Sequence, residues 1–491
     1  MNSSKVLSLA TINPLLLNVR YAVRGEIPIR ASEIREDLLV NPSAYNFSEI
    51  AELNIGNPQF FEFKKIEPTR HVMSRLLRKY SPHINLTSSS KTLSPEIESE
   101  IDQLADEYFS VIGINDSLQN LSTGIPEKSV SRFITKRDGL ESHSDLIFPG
   151  NGASQSIHTI MNLLIDSPNA GIMCSVPTYP LYSALTSLFG GTFVKYNLDE
   201  EDNWNVNMKE LEESYENAKK NGVNVKAIVL INPGNPTGNV FDLERMKEIV
   251  DFCYRKNIVI LADEVYQENI MAEDKSFHSF KSVLAQADSN IRDNLELISF
   301  HSISKGLLGE CGLRGGYMEL DNFHPEMVKA IGRLNRLSKA NLSGTLCLDL
   351  KSRFLSGELL DYPNLQNMFD TQVSEKEQEM KERAKIVENI LNDCVGVKTN
   401  KIEGALYAFP QIYPPKKFIK KAEEQGVIPD FLYCKELLES TGLCTVPGSG
   451  FGQKDGTFHF RTTILPSPNS HLNNIMLKFK EFNDGLHENY S

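Results

Sequence analysis

Between about residues 145 and 318 short apolar runs alternate with helical periodicities, and this alternation narrows the fold more than any other feature of the chain. Leu146-Ile147-Phe148 reads as a strand and Gly150-Asn151-Gly152 as the turn after it. Ile157, Ile160, Met161 and Leu164 then recur at the spacing of one helix face. Val225 to Ile231 is a β-branched run that stops at the turn formers Asn232-Pro233-Gly234-Asn235-Pro236. Met246, Ile249, Val250 and Cys253 give the next helical stripe, and Asn257 ends it. Ile258 to Ala262 and Leu295 to Phe300 read as further strands. The expectation is an α/β fold with a mainly parallel sheet flanked by helices. Thr371 to Asp393 is charged and helix-prone, a solvated connector to a second, smaller domain. A chain of 491 residues is expected to hold two or three such units.

Charge and cysteine content remove several function classes. The 51 Lys and Arg against 64 Asp and Glu give a formal charge of −13, which argues against non-specific binding to nucleic acid or anionic membrane. No apolar run is long enough to span a bilayer. The seven cysteines are scattered, with no CxxC pair and no zinc spacing, so no metal site is expected and reduced thiols are. Residues 1–10 lack a basic n-region and a secretory cleavage site. Acidic residues are absent before Glu26, as in a mitochondrial presequence, but arginines are sparse, and the expectation is a cytosolic chain.

The residues that could carry chemistry fall just after strands. In open α/β sheets that edge forms the ligand crevice. Gly152-Ala153-Ser154, Asn235, Asp263 with Tyr266, and Ser302 with Lys305 are therefore expected to face one pocket. Each signal alone has a plainer reading. Gly-Ala-Ser can simply cap a helix, although free N–H groups at a helix start also suit a phosphate. Asn235-Pro236-Thr237-Gly238 can be an ordinary turn, Asp263 can cap a neighbouring element, and most lysines lie on the surface.

The order GAS, NPTG, DEVY, SxSK and then Arg is much harder to meet by chance. Together with NPLLLNVRYAVRGEI, GECGLRGGY, VPGSGFGQ and FHFRTTILP it resembles the fold-type-I, class I aminotransferases, and within them the alanine aminotransferase family. The resemblance runs from about Val6 to about Pro466. It implies a large domain with a mainly parallel central sheet and a smaller α+β C-terminal domain. On that basis residues 1–50 are an N-terminal arm, 51–340 the large cofactor-binding domain and 341–491 the small domain. It also implies a pyridoxal 5'-phosphate cofactor held as a Schiff base on Lys305, whose amine then moves the substrate proton.

Further roles follow from the resemblance. Asp263 would pair with the pyridinium nitrogen so that the ring accepts carbanion electrons. Asn235 and Tyr266 would bond the 3′-oxygen, and Tyr179 would stack on the ring. Ala153, Ser154, Ser302 and Arg314 would hold the phosphate. Arg461 would take the substrate α-carboxylate, with the backbone of Gly56 beside it. An L-alanine and 2-oxoglutarate pair of substrates and a homodimer with sites at the subunit boundary are expected. An alanine– or glutamate–glyoxylate aminotransferase, a β-eliminating lyase on the same constellation, and a non-enzymatic binding module are the alternatives.

Two stretches depart from the family pattern. Ser117 to Gly124 lacks the tyrosine expected to reach the neighbouring subunit's cofactor phosphate, with Gln119 or Asn120 as neutral substitutes. Phe60-Phe61-Glu62-Phe63 replaces small and polar residues at the mouth of the site. For a substrate γ-carboxylate, Arg20 or Arg24 is the candidate, and an N-terminal arm anchored across a dimer is the plainer reading of both.

Overall fold

The protein's structure is a computed structural model that describes residues 7–9, 11–19, 25–61, 64–80, 93–112 and 125–491. Its centre is an eight-stranded sheet. The strands are β1 (Ile147–Gly150), β2 (Ala170–Val176), β3 (Thr192–Asp199), β4 (Asn205–Val206), β5 (Asn224–Ile231), β6 (Val259–Asp263), β7 (Leu297–Ser302) and β8 (Gly316–Asp321). They lie in the order β1-β8-β7-β6-β5-β2-β3-β4. The run β3-β2-β5-β6-β7 is parallel throughout, and β8 enters antiparallel between β7 and β1.

The strand sequences explain why this sheet is buried on both faces. In β5, Val225, Ile228 and Leu230 join one apolar cluster, while Ala227, Val229 and Ile231 join another on the opposite face. Strand side chains alternate sides, so a continuous apolar run serves two helix layers at once. The helix Ala153–Leu164 covers one face through Ile157, Ile160 and Met161. The helix Leu243–Lys256 covers the other through Met246, Ile249, Val250 and Cys253. Asn257 ends that helix in the left-handed conformation, with φ of 54°, and its N–H closes back on the Cys253 and Tyr254 carbonyls.

A second, antiparallel sheet follows, with strands β9 (Val397–Lys398), β10 (Tyr407–Ala408), β11 (Gln411–Ile412), β12 (Val446–Pro447) and β13 (Phe458–Thr463). The order is β10-β13-β11-β9, with β12 also paired to β13. Its core takes in the first long helix, Glu26–Val40: Ile27, Ala31 and Ile34 share one cluster with Leu437, Phe460 and Phe479. The helix Leu342–Ser356 packs with the helix Pro126–Asp138 in a different cluster. The helix Pro363–Asn392 runs between the two, with Leu365 and Phe369 in that cluster and Val387 and Leu391 in the C-terminal one.

Candidate active site

β1, β5, β6 and β7 point the same way, so the residues that follow them emerge at one edge of the sheet. All eleven residues singled out in the sequence line one cavity of about 520 Å³ there: Gly56, Ala153, Ser154, Tyr179, Asn235, Asp263, Tyr266, Ser302, Lys305, Arg314 and Arg461. Arg20, Arg24, Glu62, Phe63 and the loop 117–124 lie outside the described residues.

One end of the cavity brings together a helix start and a guanidinium. Gly152 has φ of 77° and precedes the helix Ala153–Leu164 without any side-chain cap, and the first two residues of that helix, Ala153 and Ser154, line the cavity. The Arg314 guanidinium crosses this helix start, donating to Ser154 Oγ at 3.0 Å and to the Asn151 carbonyl at 3.3 Å. A Cβ on Gly152 would come within 2.6 Å of Arg314 Nη2, so a side chain there would have to push the guanidinium aside, and φ of 77° itself favours glycine.

In the floor, Asp263 closes β6 and is 4% exposed. The Tyr182 hydroxyl donates to its Oδ2 at 2.8 Å, while Oδ1 is buried without a partner among the described residues. Burial pushes this carboxyl up to about 6, against the opposing hydrogen bonds of Tyr182 and the Val265 amide. Lys305 sits three residues beyond β7 and donates through Nζ to the Gly56 carbonyl. Gly56 thus meets the lysine through its carbonyl oxygen. A Cβ at Gly56 would collide with the Tyr407 hydroxyl.

At the far wall, Arg461 on β13 is 2% exposed. It donates to Asn235 Oδ1 at 3.2 Å and to the Asn54 carbonyl at 2.8 Å, and its Nε has no partner among the described residues. The guanidinium lies 4.1 Å from the Tyr407 ring centroid and 4.8 Å from that of Phe451. A fully buried cation that rests on neutral oxygens and ring faces has unspent charge, which suits an incoming carboxylate.

Sequence reasoning missed several contributors. Tyr407 bonds the Tyr266 hydroxyl at 3.4 Å. Burial would raise its phenol, but the Lys305 and Arg461 charges outweigh burial and hold it below the usual tyrosine value. Ser304 and Cys311 line the cavity, and Pro28, Ala31 and Ser32 bring the first long helix into its wall. Tyr407 gave no signal, since two-residue strands such as β10 carry no periodicity, whereas Ser304 and Cys311 sit inside motifs that drew attention to their neighbours. His301 also gains a place: it is 2% exposed, with Nε2 2.6 Å from Lys351 Nζ and 3.3 Å from Glu268. Among the described residues no group of His, Cys, Asp and Glu is placed to hold a metal, and no helix is long and apolar enough to cross a membrane.

A mainly parallel sheet whose strand ends gather a lysine, a buried aspartate and a helix start, facing a buried arginine from the second sheet, fits a cofactor-dependent group-transfer enzyme. The chain belongs to the class I and II aminotransferases, whose family model matches residues 94–477. It is 40% identical to alanine aminotransferase 1, mitochondrial, of Arabidopsis thaliana over 95% of this chain and 84% of that protein. It is 39% identical to the probable alanine aminotransferase, mitochondrial, of Dictyostelium discoideum, over 100% of this chain and 91% of that one. Glutamate–glyoxylate aminotransferase 2 of Arabidopsis thaliana is 37% identical over 100% of this chain and 98% of that one. An alanine aminotransferase structure from Pyrococcus furiosus superposes with a TM-score of 0.71 at 23% identity, covering 96% of this chain and 100% of that one, a likeness of fold. The class is a pyridoxal-phosphate family. These relatives correct the cytosolic expectation, because two of them carry "mitochondrial" in their names.

Proposed function

We propose that this chain transfers the amino group of L-alanine to 2-oxoglutarate, giving pyruvate and L-glutamate, with pyridoxal 5'-phosphate bound in the 520 Å³ cavity. The observation that carries the reading is the pair of unspent buried groups, Asp263 Oδ1 and the Arg461 guanidinium, with Lys305 in the same cavity. Each fits one part of a bound cofactor and substrate. Asp263 accepts a ring N–H, and the Ala153 and Ser154 amides with Ser302 and Arg314 take the phosphate. Asn235 and Tyr266 serve the ring oxygen, and Tyr179 covers the ring face. When bound, the cofactor supplies an electron sink for the carbanion at the substrate Cα.

The protein's own residues do the rest. Arg461 orients the substrate by its α-carboxylate, with its own position fixed by Asn235 and Asn54. Lys305 takes the Cα proton and returns it on the other side of the transfer. Tyr407, held against Gly56 and Tyr266, keeps water from the lysine side of the cavity. A homodimer is part of this reading by relationship to the class, with the 51–340 and 341–491 units forming each subunit's large and small domains.

The test is spectroscopic. The visible band of the bound cofactor should be lost on adding L-alanine alone and regained on adding 2-oxoglutarate, with glutamate formed. A band indifferent to alanine would overturn the substrate assignment. The glyoxylate-named relatives favour a second acceptor, and steady-state kcat/KM with glyoxylate against 2-oxoglutarate separates the two.

A further inference from the structure

The segment Thr178-Tyr179-Pro180-Leu181-Tyr182 does two things three residues apart. Tyr179 lines the cavity, and Tyr182 turns away from it to reach Asp263 from behind. The helix Leu181–Leu188 begins here, and the Tyr182 N–H closes on the Tyr179 carbonyl at 3.4 Å, so both rings are set by the same turn. Tyr182 has no exposed surface at all, whereas most tyrosines keep the hydroxyl near water. Its hydroxyl donates to Asp263 Oδ2 at 2.8 Å, and the remaining lone-pair oxygen, Oδ1, is left unclaimed at the cavity floor.

We propose that Tyr182 is a positioning residue that keeps the Asp263 carboxylate ionised and turns its free oxygen toward the cofactor's ring nitrogen. The proposal rests on the reading of this cavity as the pyridoxal-phosphate site. The physical reason is competition for one proton between the ring nitrogen and the carboxylate. A carboxylate that accepts a hydrogen bond from a phenol is a weaker base, so the proton stays on the ring. Burial works the other way and pushes Asp263 up to about 6, so without the phenol this carboxylate takes the proton more readily. Tyr179 and Cys174 are the other titratable groups whose charges act on Tyr182, and both are neutral near pH 7 in their ordinary state. The Val265 amide is the one further donor that favours the ionised Asp263.

The experiment reads the ring nitrogen itself. Wild-type protein, Tyr182→Phe and Asp263→Ala are each reconstituted with pyridoxal phosphate labelled with 15N in the ring. Solid-state 15N spectra are then recorded near neutral pH, beside cofactor affinity and melting temperature. The wild type should show the protonated ring. Tyr182→Phe should move the signal toward neutral pyridine and lower kcat about tenfold or more, with little change in KM. Tyr182 replaced by 3-fluorotyrosine, which keeps the ring and has a more acidic hydroxyl, should hold the signal at the protonated position. A purely structural tyrosine would lower the melting temperature of Tyr182→Phe and leave the nitrogen signal in place, which overturns the proposal. If Asp263→Ala also leaves the signal in place, the reading of the cavity falls with it.

Discussion

Arg461 is a full guanidinium kept in the interior by two neutral oxygens and two aromatic faces. Such a group costs several kcal/mol to bury, and the cost is offset when a carboxylate arrives. Arg461→Met should therefore raise KM for the amino acid and the oxo acid together, by about 100-fold, equivalent to about 3 kcal/mol of lost charge-assisted bonding. Its thermal stability without substrate should hold or rise, since the replacement removes a buried charge. Arg461→Lys should recover only part, because an ammonium cannot match the two parallel bonds of the fork. Equal KM for wild type and Arg461→Met, measured by steady-state kinetics, would remove the residue from substrate binding. Lys305→Ala belongs to the other class of effect. It should lower kcat by at least about 10²–10⁴-fold, the range of a positioned proton-transfer group.

At the scale of elements, the start of the helix Ala153–Leu164 is the most demanding piece of backbone in the site. Gly152 combines φ of 77° with a guanidinium 2.6 Å from where a Cβ would stand. Gly152→Ala should displace Arg314 and weaken cofactor binding about tenfold or more, measured by fluorescence titration, with the fold retained. Unchanged affinity would show that the helix start is not the anion site. This element was legible in the sequence because its requirements are local. A strand, a glycine turn and an apolar stripe follow each other within twenty residues. The same holds for Asn235 after β5, Asp263 at the end of β6 and Lys305 after β7. What escaped was set by packing across the chain. Tyr407 comes from a two-residue strand, the Asn54 carbonyl from an irregular segment, and Pro28, Ala31 and Ser32 from a helix whose inward face looked like part of an arm. Tyr182 stood in view inside PTYPLY, yet nothing local says that its hydroxyl reaches a strand end eighty-one positions away.

Over the whole molecule, two glutamates four residues apart, just beyond β6, carry opposite couplings between folding and pH. Glu264 is 1% exposed and accepts a hydrogen bond from the Phe280 amide at 2.8 Å. Burial pushes it up to about 8, with the Arg137 charge opposing. Its folded value lies above the unfolded one, so its contribution is fully present below about pH 4.3 and is lost as pH rises through about 8. Glu268 is the reverse case. It bonds Lys351 at 2.6 Å and His301 at 3.3 Å, and takes the Leu307 amide at 3.2 Å, so it ties β7 and the helix Leu342–Ser356 to the loop that carries Lys305. Burial opposes its charge, but Lys351 and His301 outweigh burial and hold it well below the usual range. That contribution is present above about pH 4.3 and is lost as pH falls toward the folded value. Glu264→Gln should therefore flatten the decline in stability between about pH 5 and 8, whose limit is about 1.4 kcal/mol per pH unit for one proton. Glu268→Gln should cost about 3–5 kcal/mol at neutral pH by stranding the buried Lys351 charge, and the loss should shrink in acid. Denaturant melts of the three proteins from about pH 3 to about pH 8.5 decide the matter, since the Glu268 slope lies below about pH 4.3 and the Glu264 slope above it. The two variants must change the pH slope in opposite directions, and slopes that move together would mean that one shared network, rather than two separate environments, governs both carboxyls.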